Sequence, residues 1–276
     1  MADLTPTEAA RLVEFGEAKA WANLYGCTPM VWAGEYRVVT QRRGSMLITM
    51  LQGLDSWFFN RIMALGMEEP ATESVLDQSL DLLGRFGCRN YMVHLSPFAQ
   101  PPELREWLKA RGIPLRGNWA KMYRGDEPAP VVRTDLRIEQ IGQEWANAFG
   151  NIALESFDMP PVLLPLMTGH IGKPGWFNYV GFDGDRPVCT ASMFVSGEVA
   201  WLGMGSTLTS HRGRGGQSAM FARRISDGLK VGCKWFVSET GEDTPESPNP
   251  SYHNMLRAGF KLAYMRPNYV HESRAA

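Results

Sequence analysis

The sequence predicts a mixed α/β fold built twice, as two tandem halves that each set helices against a mixed sheet. Three observations predict it. An amphipathic helix, a glycine and an apolar strand recur in the same order at a nearly constant spacing. A polar, proline-rich stretch lies between the copies. In the second half only, a glycine-rich loop joins a strand to a helix.

The first copy, Gly87-Cys88-Arg89-Asn90-Tyr91-Met92-Val93, matches Gly232-Cys233-Lys234-Trp235-Phe236-Val237, with the cysteines 145 residues apart. Further on, Leu108-Lys109-Ala110-Arg111-Gly112-Ile113 matches Leu256-Arg257-Ala258-Gly259-Phe260, with the glycines 147 apart. Leu76, Leu80 and Leu83 make one apolar stripe on the first preceding helix, and Phe221, Ile225 and Leu229 make one on the second. A self-match in order and spacing is the mark of duplication. Gly125-Asp126-Glu127-Pro128-Ala129-Pro130 reads as the linker, so the halves are placed at 1–128 and 131–276. A chain of 276 residues suits two domains of ordinary size.

The other elements follow in order. Thr5-Pro6-Thr7-Glu8, after Ala2 and Asp3, reads as a helix start and not a secretory leader. In the second half, Leu136 to Ile141 reads as a strand and Glu144 to Phe157 as a helix. Strands from Trp176 to Phe182 and Pro187 to Val195 flank the hairpin signal Asp183-Gly184-Asp185-Arg186. Val199 to Thr207 is a strand interrupted by Gly203 and Gly205, where a bulge or a close backbone approach is expected.

Composition narrows the function. A net charge of −1 with no run of five or more like charges provides no broad field for nucleic acid or an anionic membrane. No apolar stretch reaches the roughly 20 residues of a membrane span. Cys27, Cys88, Cys189 and Cys233 have neither paired nor zinc-like spacing and read as reduced core thiols of a cytoplasmic protein, with no metal site.

The informative segment is Arg212-Gly213-Arg214-Gly215-Gly216-Gln217-Ser218, between a strand and an apolar helix. Successive amides there can curl into a nest with the helix dipole behind them, which suits a phosphate. It is not a Walker loop, because no Gly-Lys-Ser/Thr follows. In the first half, Met67-Glu68-Glu69-Pro70 stands in this place, with two carboxylates and a residue lacking its N–H, so one cofactor per chain is expected.

With Arg212-x-x-Gly215-x-Gln217 close to the pattern Gln/Arg-x-x-Gly-x-Gly/Ala, its glycine-interrupted strand and the helix Ser251 to Gly259 ending in Gly-Phe260, the second half resembles the GCN5-related N-acetyltransferases (GNAT). Gln217 departs from the family's Gly or Ala. The resemblance implies tandem GNAT-like domains, the first degenerate, with acetyl-CoA as co-substrate and a primary amine of a small molecule or peptide as acceptor. It implies cofactor contacts at Gly205, Ser206, Thr207, Arg212, Gly213, Arg214, Gly215, Gly216, Gln217 and Ser218. Asn249 or Asn254 would meet the pantetheine. The family's proton-donating Tyr falls on Met255, which leaves Tyr252 as the substitute acid. Glu239 is the candidate base and His253 a further one; Trp176, Trp201 and Met204 read as core. A non-catalytic acyl-CoA-binding module is the alternative, and a monomer and a homodimer both remain open.

Overall fold

The computed structural model describes residues 4–273 of the chain; Ala2 and Asp3 of the expected helix start lie outside them. The chain packs as two compact units, one of residues 4–121 with 263–273 and the other of 122–262. The halves expected at 1–128 and 131–276 would leave the last strand with the second unit. Contacts beyond Leu262 instead group it with the first.

The N-terminal unit opens with α1 (Pro6–Gly26), whose cap is a reciprocal Thr5/Glu8 box. Then come α2 (Met30–Glu35), β1 (Val38–Arg43), β2 (Met46–Leu51), β3 (Arg61–Met63), α3 (Glu73–Phe86), β4 (Tyr91–His94), α4 (Leu104–Ala110) and β5 (Leu115–Arg124). The second unit adds β6 (Arg137–Gln140), α5 (Ala146–Ser156), α6 (Leu164–Thr168), β7 (Trp176–Asp183), β8 (Arg186–Ser196) and β9 (Val199–Thr207). It continues with α7 (Gly216–Lys230), β10 (Trp235–Gly241) and α8 (Pro250–Arg257), and the chain's last strand is β11 (Lys261–His271). Strand order is β1-β2-β3-β4-β11-β5 in the first unit and β10-β9-β8-β7-β6 in the second. β11 runs antiparallel to β4, from Asn268 opposite His94 to His271 opposite Tyr91.

The repeated sequence makes repeated hydrogen bonds. Gly87 (φ 87°) ends α3 and Gly232 (φ 89°) follows α7, and beyond them Cys88 N donates to Leu83 O and Cys233 N to Gly228 O, both at 2.9 Å. Gly112 and Gly259 end α4 and α8 alike: Ile113 N donates to Leu108 O and Phe260 N to Met255 O, both at 3.0 Å. Positive φ explains glycine at these four positions.

The repeat extends to a strained backbone residue. β3 and β4 pair in parallel only at Arg61–Met92 and Ile62–Val93. Three residues after Arg61, Ala64 takes φ 56°; three residues after Trp201, Met204 takes φ 52°. Such a conformation in a residue with a Cβ persists where its surroundings impose it.

A buried cluster of charges joins α1 to β3, β5 and β11. Glu17 of α1 pairs with Arg266 and with Lys121 (2.8 Å), and Arg61 lies 3.8 Å from the same carboxylate. Tyr264 donates to Glu14 (2.6 Å). Burial alone would push Glu17 up, but Arg266 and Lys121 overcome it and hold the carboxyl well below its usual range. α3 also starts differently from a phosphate-binding helix: Thr72 accepts the Val75 amide and Glu73 sits in the first turn.

Candidate active site

β9 and β10 are parallel neighbours for only three residue pairs, Val199–Trp235, Ala200–Phe236 and Trp201–Val237. Beyond them β9 runs on to Thr207 and β10 to Gly241, so a cleft opens between two strands that leave each other. Ser238 marks the parting, donating from its hydroxyl to Leu202 O (2.7 Å). On the other flank the β8–β9 register slips, Thr190 facing Ser206 but Ser192 facing Gly203. The bulge expected from Gly203 and Gly205 is therefore present, and it turns on Met204, at positive φ, whose half-buried side chain packs against the core around Phe149 and Phe182. Gly203 is required for a different reason: a Cβ there would stand 1.9 Å from the Trp201 ring.

Four side-chain bonds fix the bulge's carbonyls. Arg224 donates from Nη1 to Ser192 O (3.0 Å) and Gly203 O (3.3 Å). Thr190 donates to Met204 O (3.3 Å), and Gln217 donates to Ser206 O (2.7 Å). A trans peptide points its C=O and N–H opposite ways. With Gly203 O held by Arg224 of α7, the Met204 amide points away from that guanidinium. The Gln217 side chain ties α7 to β9, reaching Thr207 Oγ1 as well (3.0 Å), and leaves its first-turn amide for a ligand. Ser206 and Thr207 are buried, and Ser206 Oγ bonds Thr190 Oγ1, leaving the strand's backbone as its accessible chemistry.

The loop from Arg212 to Gly216 has the left-handed turns a nest needs, at Gly213 (φ 79°) and Gly215 (φ 77°). Gly215 is the N-cap of the 15-residue α7 and offers no side chain to its first-turn amides at Gly216, Gln217 and Ser218. A Cβ on Gly215 would also meet Arg133 O at 3.0 Å. Thr134 braces the loop from behind, donating to Arg214 O (2.8 Å).

Arg214 departs from the expectation. Its guanidinium donates to both oxygens of Asp183 (2.7 and 3.1 Å) and to Asp135, so it is committed to carboxylates. Those bonds hold both carboxyls below their ordinary range and raise Arg214. Asp183 receives His211 as well, at 3.4 Å. Hydrophobic patterning gave no signal for this anchor, because its two acids lie at the end of β7 and just before β6. Arg212 is exposed and reaches back to Thr207 O (3.4 Å).

Glu239, in β10 past the parting, receives Trp201 Nε1 on both oxygens (3.0 and 3.2 Å). Trp201 and Trp176 are buried, as core residues should be. On α8, Asn254 accepts from Ser218 of α7 (3.4 Å) and from Arg257 (2.6 Å), which sets it beside the nest. Asn249 is the α8 cap, accepting from the Ser251 and Tyr252 amides and donating to Gly241 O (2.8 Å), so it is not poised for a ligand. Tyr252 is half-buried, His253 turns to Asp243 (3.2 Å), and Met255 is buried.

A buried polar group under the bulge had no sequence signal. His170 Nε2 lies 3.1 Å from Ser192 Oγ, which donates to Asn178 (2.8 Å) and contacts Met204 Sδ. Burial pushes His170 down to about 3 and Arg224 down to about 9, so at neutral pH the histidine is neutral and the arginine charged. Cys189 and Cys233, raised to about 11 by burial, are poor nucleophiles. Among the described residues no cluster could hold a metal ion, and no helix is long and apolar enough to cross a membrane.

Solved structures share this architecture over nearly the whole chain. A GCN5-related N-acetyltransferase from Kribbella flavida superposes with a TM-score of 0.66 at 15% identity, covering 96% of each chain. A tandem GNAT protein from the clavulanic acid biosynthesis pathway gives 0.60 at 12% identity, over 97% of this chain and 95% of its own. A functionally unknown conserved protein from Staphylococcus epidermidis gives 0.57 at 11% identity, over 86% and 95%. No protein-family model matches the sequence, and no curated protein does. The chain thus has the tandem GNAT fold.

Proposed function

We propose that the C-terminal unit is an N-acetyltransferase that moves the acetyl group of acetyl-CoA directly to a primary amine of a small molecule or peptide. One observation carries this reading: a bulged strand parts from its parallel neighbour next to a left-handed glycine nest that heads a long helix. The residues fit the co-substrate. Amides from Gly213 to Ser218 meet the diphosphate, Asn254 stands where the pantetheine arm leaves the nest, and the amides from Met204 to Thr207 meet the thioester carbonyl.

In the transfer, the amine nitrogen bonds to the acetyl carbon, the carbon–sulfur bond breaks, and the thiolate takes a proton. An amine with pKa near 10.4 must first lose its own proton, at about 4.6 kcal/mol at pH 7 if unaided. Glu239, held toward Trp201 at the open end of the cleft, is the proposed acceptor of that proton. Tyr252 is the proposed donor to the thiolate. Strand amides polarise the carbonyl without reorganising during the reaction.

A second reading has its own observation. Met255, buried and unable to donate a proton, occupies the place of the family's acid, which favours a non-catalytic acyl-CoA-binding module if Tyr252 does not substitute. Thiol release from acetyl-CoA over a panel of amines separates the two. Release supports the enzyme; binding of CoA without release, whatever the amine, supports the module. Stabilisation by ATP and not by CoA would overturn both.

A further inference from the structure

Arg224 is 1% exposed and makes no ion pair among the described residues. Its bonds go to three backbone carbonyls, Met220 O (3.1 Å), Ser192 O and Gly203 O, and its guanidinium lies 4.7 Å from the centre of the Phe221 ring. The nearest carboxylate in sequence, Asp227, is taken by Arg223, Lys230 and Tyr179. A buried charge without a counter-charge is unfavourable and persists only where something offsets it.

Its position says what the charge does. Ser192 and Gly203 are the facing pair at which the β8–β9 register slips, and Met204 follows at φ 52°. One Nη1 bridging both carbonyls holds the Gly203–Met204 peptide in a single orientation. It also places a fixed positive charge directly against the bulged strand that borders the cleft. A cation there, in a dry and low-dielectric setting, attracts negative charge developing just above it.

We propose that Arg224 is a positioning residue for acyl transfer, fixing the Met204 amide toward the thioester and providing the buried positive potential that polarises its carbonyl. This rests on the acyl-CoA reading above. The diphosphate contacts lie at the other end of the cleft and do not involve Arg224, so binding and polarisation are separable.

The test is the infrared carbonyl band of acetyl-CoA labelled with carbon-13 at the thioester carbonyl, bound to the full chain, with CoA affinity measured by calorimetry on the same samples. In wild-type protein the band moves to lower frequency than in solution. In Arg224→Met, a volume-conserving change that removes the charge, most of that displacement is lost and CoA affinity is retained. Arg224→Lys keeps a cation on a shorter side chain; it shows a partial displacement, and it serves if the Met variant fails to fold. A full displacement in either variant overturns the proposal, and so does a loss of CoA affinity parallel to the loss of displacement, which marks a scaffold role. Wild-type protein that binds neither CoA nor acetyl-CoA overturns the acyl-CoA reading instead.

Discussion

Arg214 lies across Asp183 with two hydrogen bonds, at 2.7 and 3.1 Å, and thereby locks the glycine loop to the β7–β8 hairpin. An arginine in a phosphate loop invites a direct role with the ligand, whereas this one acts on the loop's shape. Arg214→Ala and Asp183→Ala should therefore weaken CoA binding by similar factors, and the double variant should be little worse than either single one. Calorimetric titration of the three variants checks this. A much larger loss in Arg214→Ala than in Asp183→Ala would mean that the guanidinium meets the phosphate itself.

Gly215 combines φ 77° with a Cβ direction that meets Arg133 O at 3.0 Å. Gly215→Ala should lower unfolding free energy by about 1–2 kcal/mol, the strain of a left-handed residue with a Cβ. It should also abolish stabilisation by CoA, because the nest cannot close. Denaturant unfolding with and without CoA measures both.

Glu239→Gln keeps the shape and one acceptor for Trp201 but cannot take a proton. Turnover should fall by about 10²-fold or more, the usual worth of a general base, with CoA affinity unchanged. Trp201→Phe, which removes the N–H that orients the carboxylate along with part of a buried ring, should lower turnover less than Glu239→Gln. Steady-state kinetics with the best amine of the panel decides; unchanged turnover in Glu239→Gln would exclude it as the base.

His170 bears on stability. Its folded pKa is depressed to about 3 by burial, against about 6.5 unfolded, so between these values the unfolded chain binds the proton and the folded chain does not. Stability is therefore full above about pH 6.5 and falls as pH drops toward 3, at about 1.4 kcal/mol per unit for this group. His94, likewise held well below its usual value by burial and by Arg266, adds to the loss in the same direction. His170→Gln should flatten the dependence between pH 6.5 and 5 in thermal unfolding.

Much of the fold was readable because punctuation repeats. The Gly87/Gly232 and Gly112/Gly259 caps predicted in sequence make identical bonds, and Val199–Thr207 runs between its expected ends. The hairpin turn at Gly184 and the Thr5 cap are also local, and local geometry is written in residue type. What sequence did not show is non-local. The pairing of β11 with β4 depends on where a strand goes after Leu262, and the two carboxylates around Arg214 come from segments 48 residues apart, at positions 135 and 183. Arg224 shares the buried face of α7 with Met220, Phe221 and Ile225, but the carbonyls that receive its guanidinium lie on β8 and β9 and leave no local trace in sequence.

The first unit should take up no CoA of its own. Thr72 already satisfies a first-turn amide of α3, and Glu68, Glu69 and Glu73 oppose a diphosphate. Calorimetry of the full chain should give one CoA per chain; two would contradict the asymmetry between the halves.

The most direct measurement is a crystal structure with acetyl-CoA bound. The diphosphate should lie within hydrogen-bonding distance of the amides from Gly213 to Ser218, and the thioester carbonyl should lie against the strand at Met204 to Thr207. A ligand bound elsewhere on the chain, with that loop empty at saturating acetyl-CoA, would contradict the account.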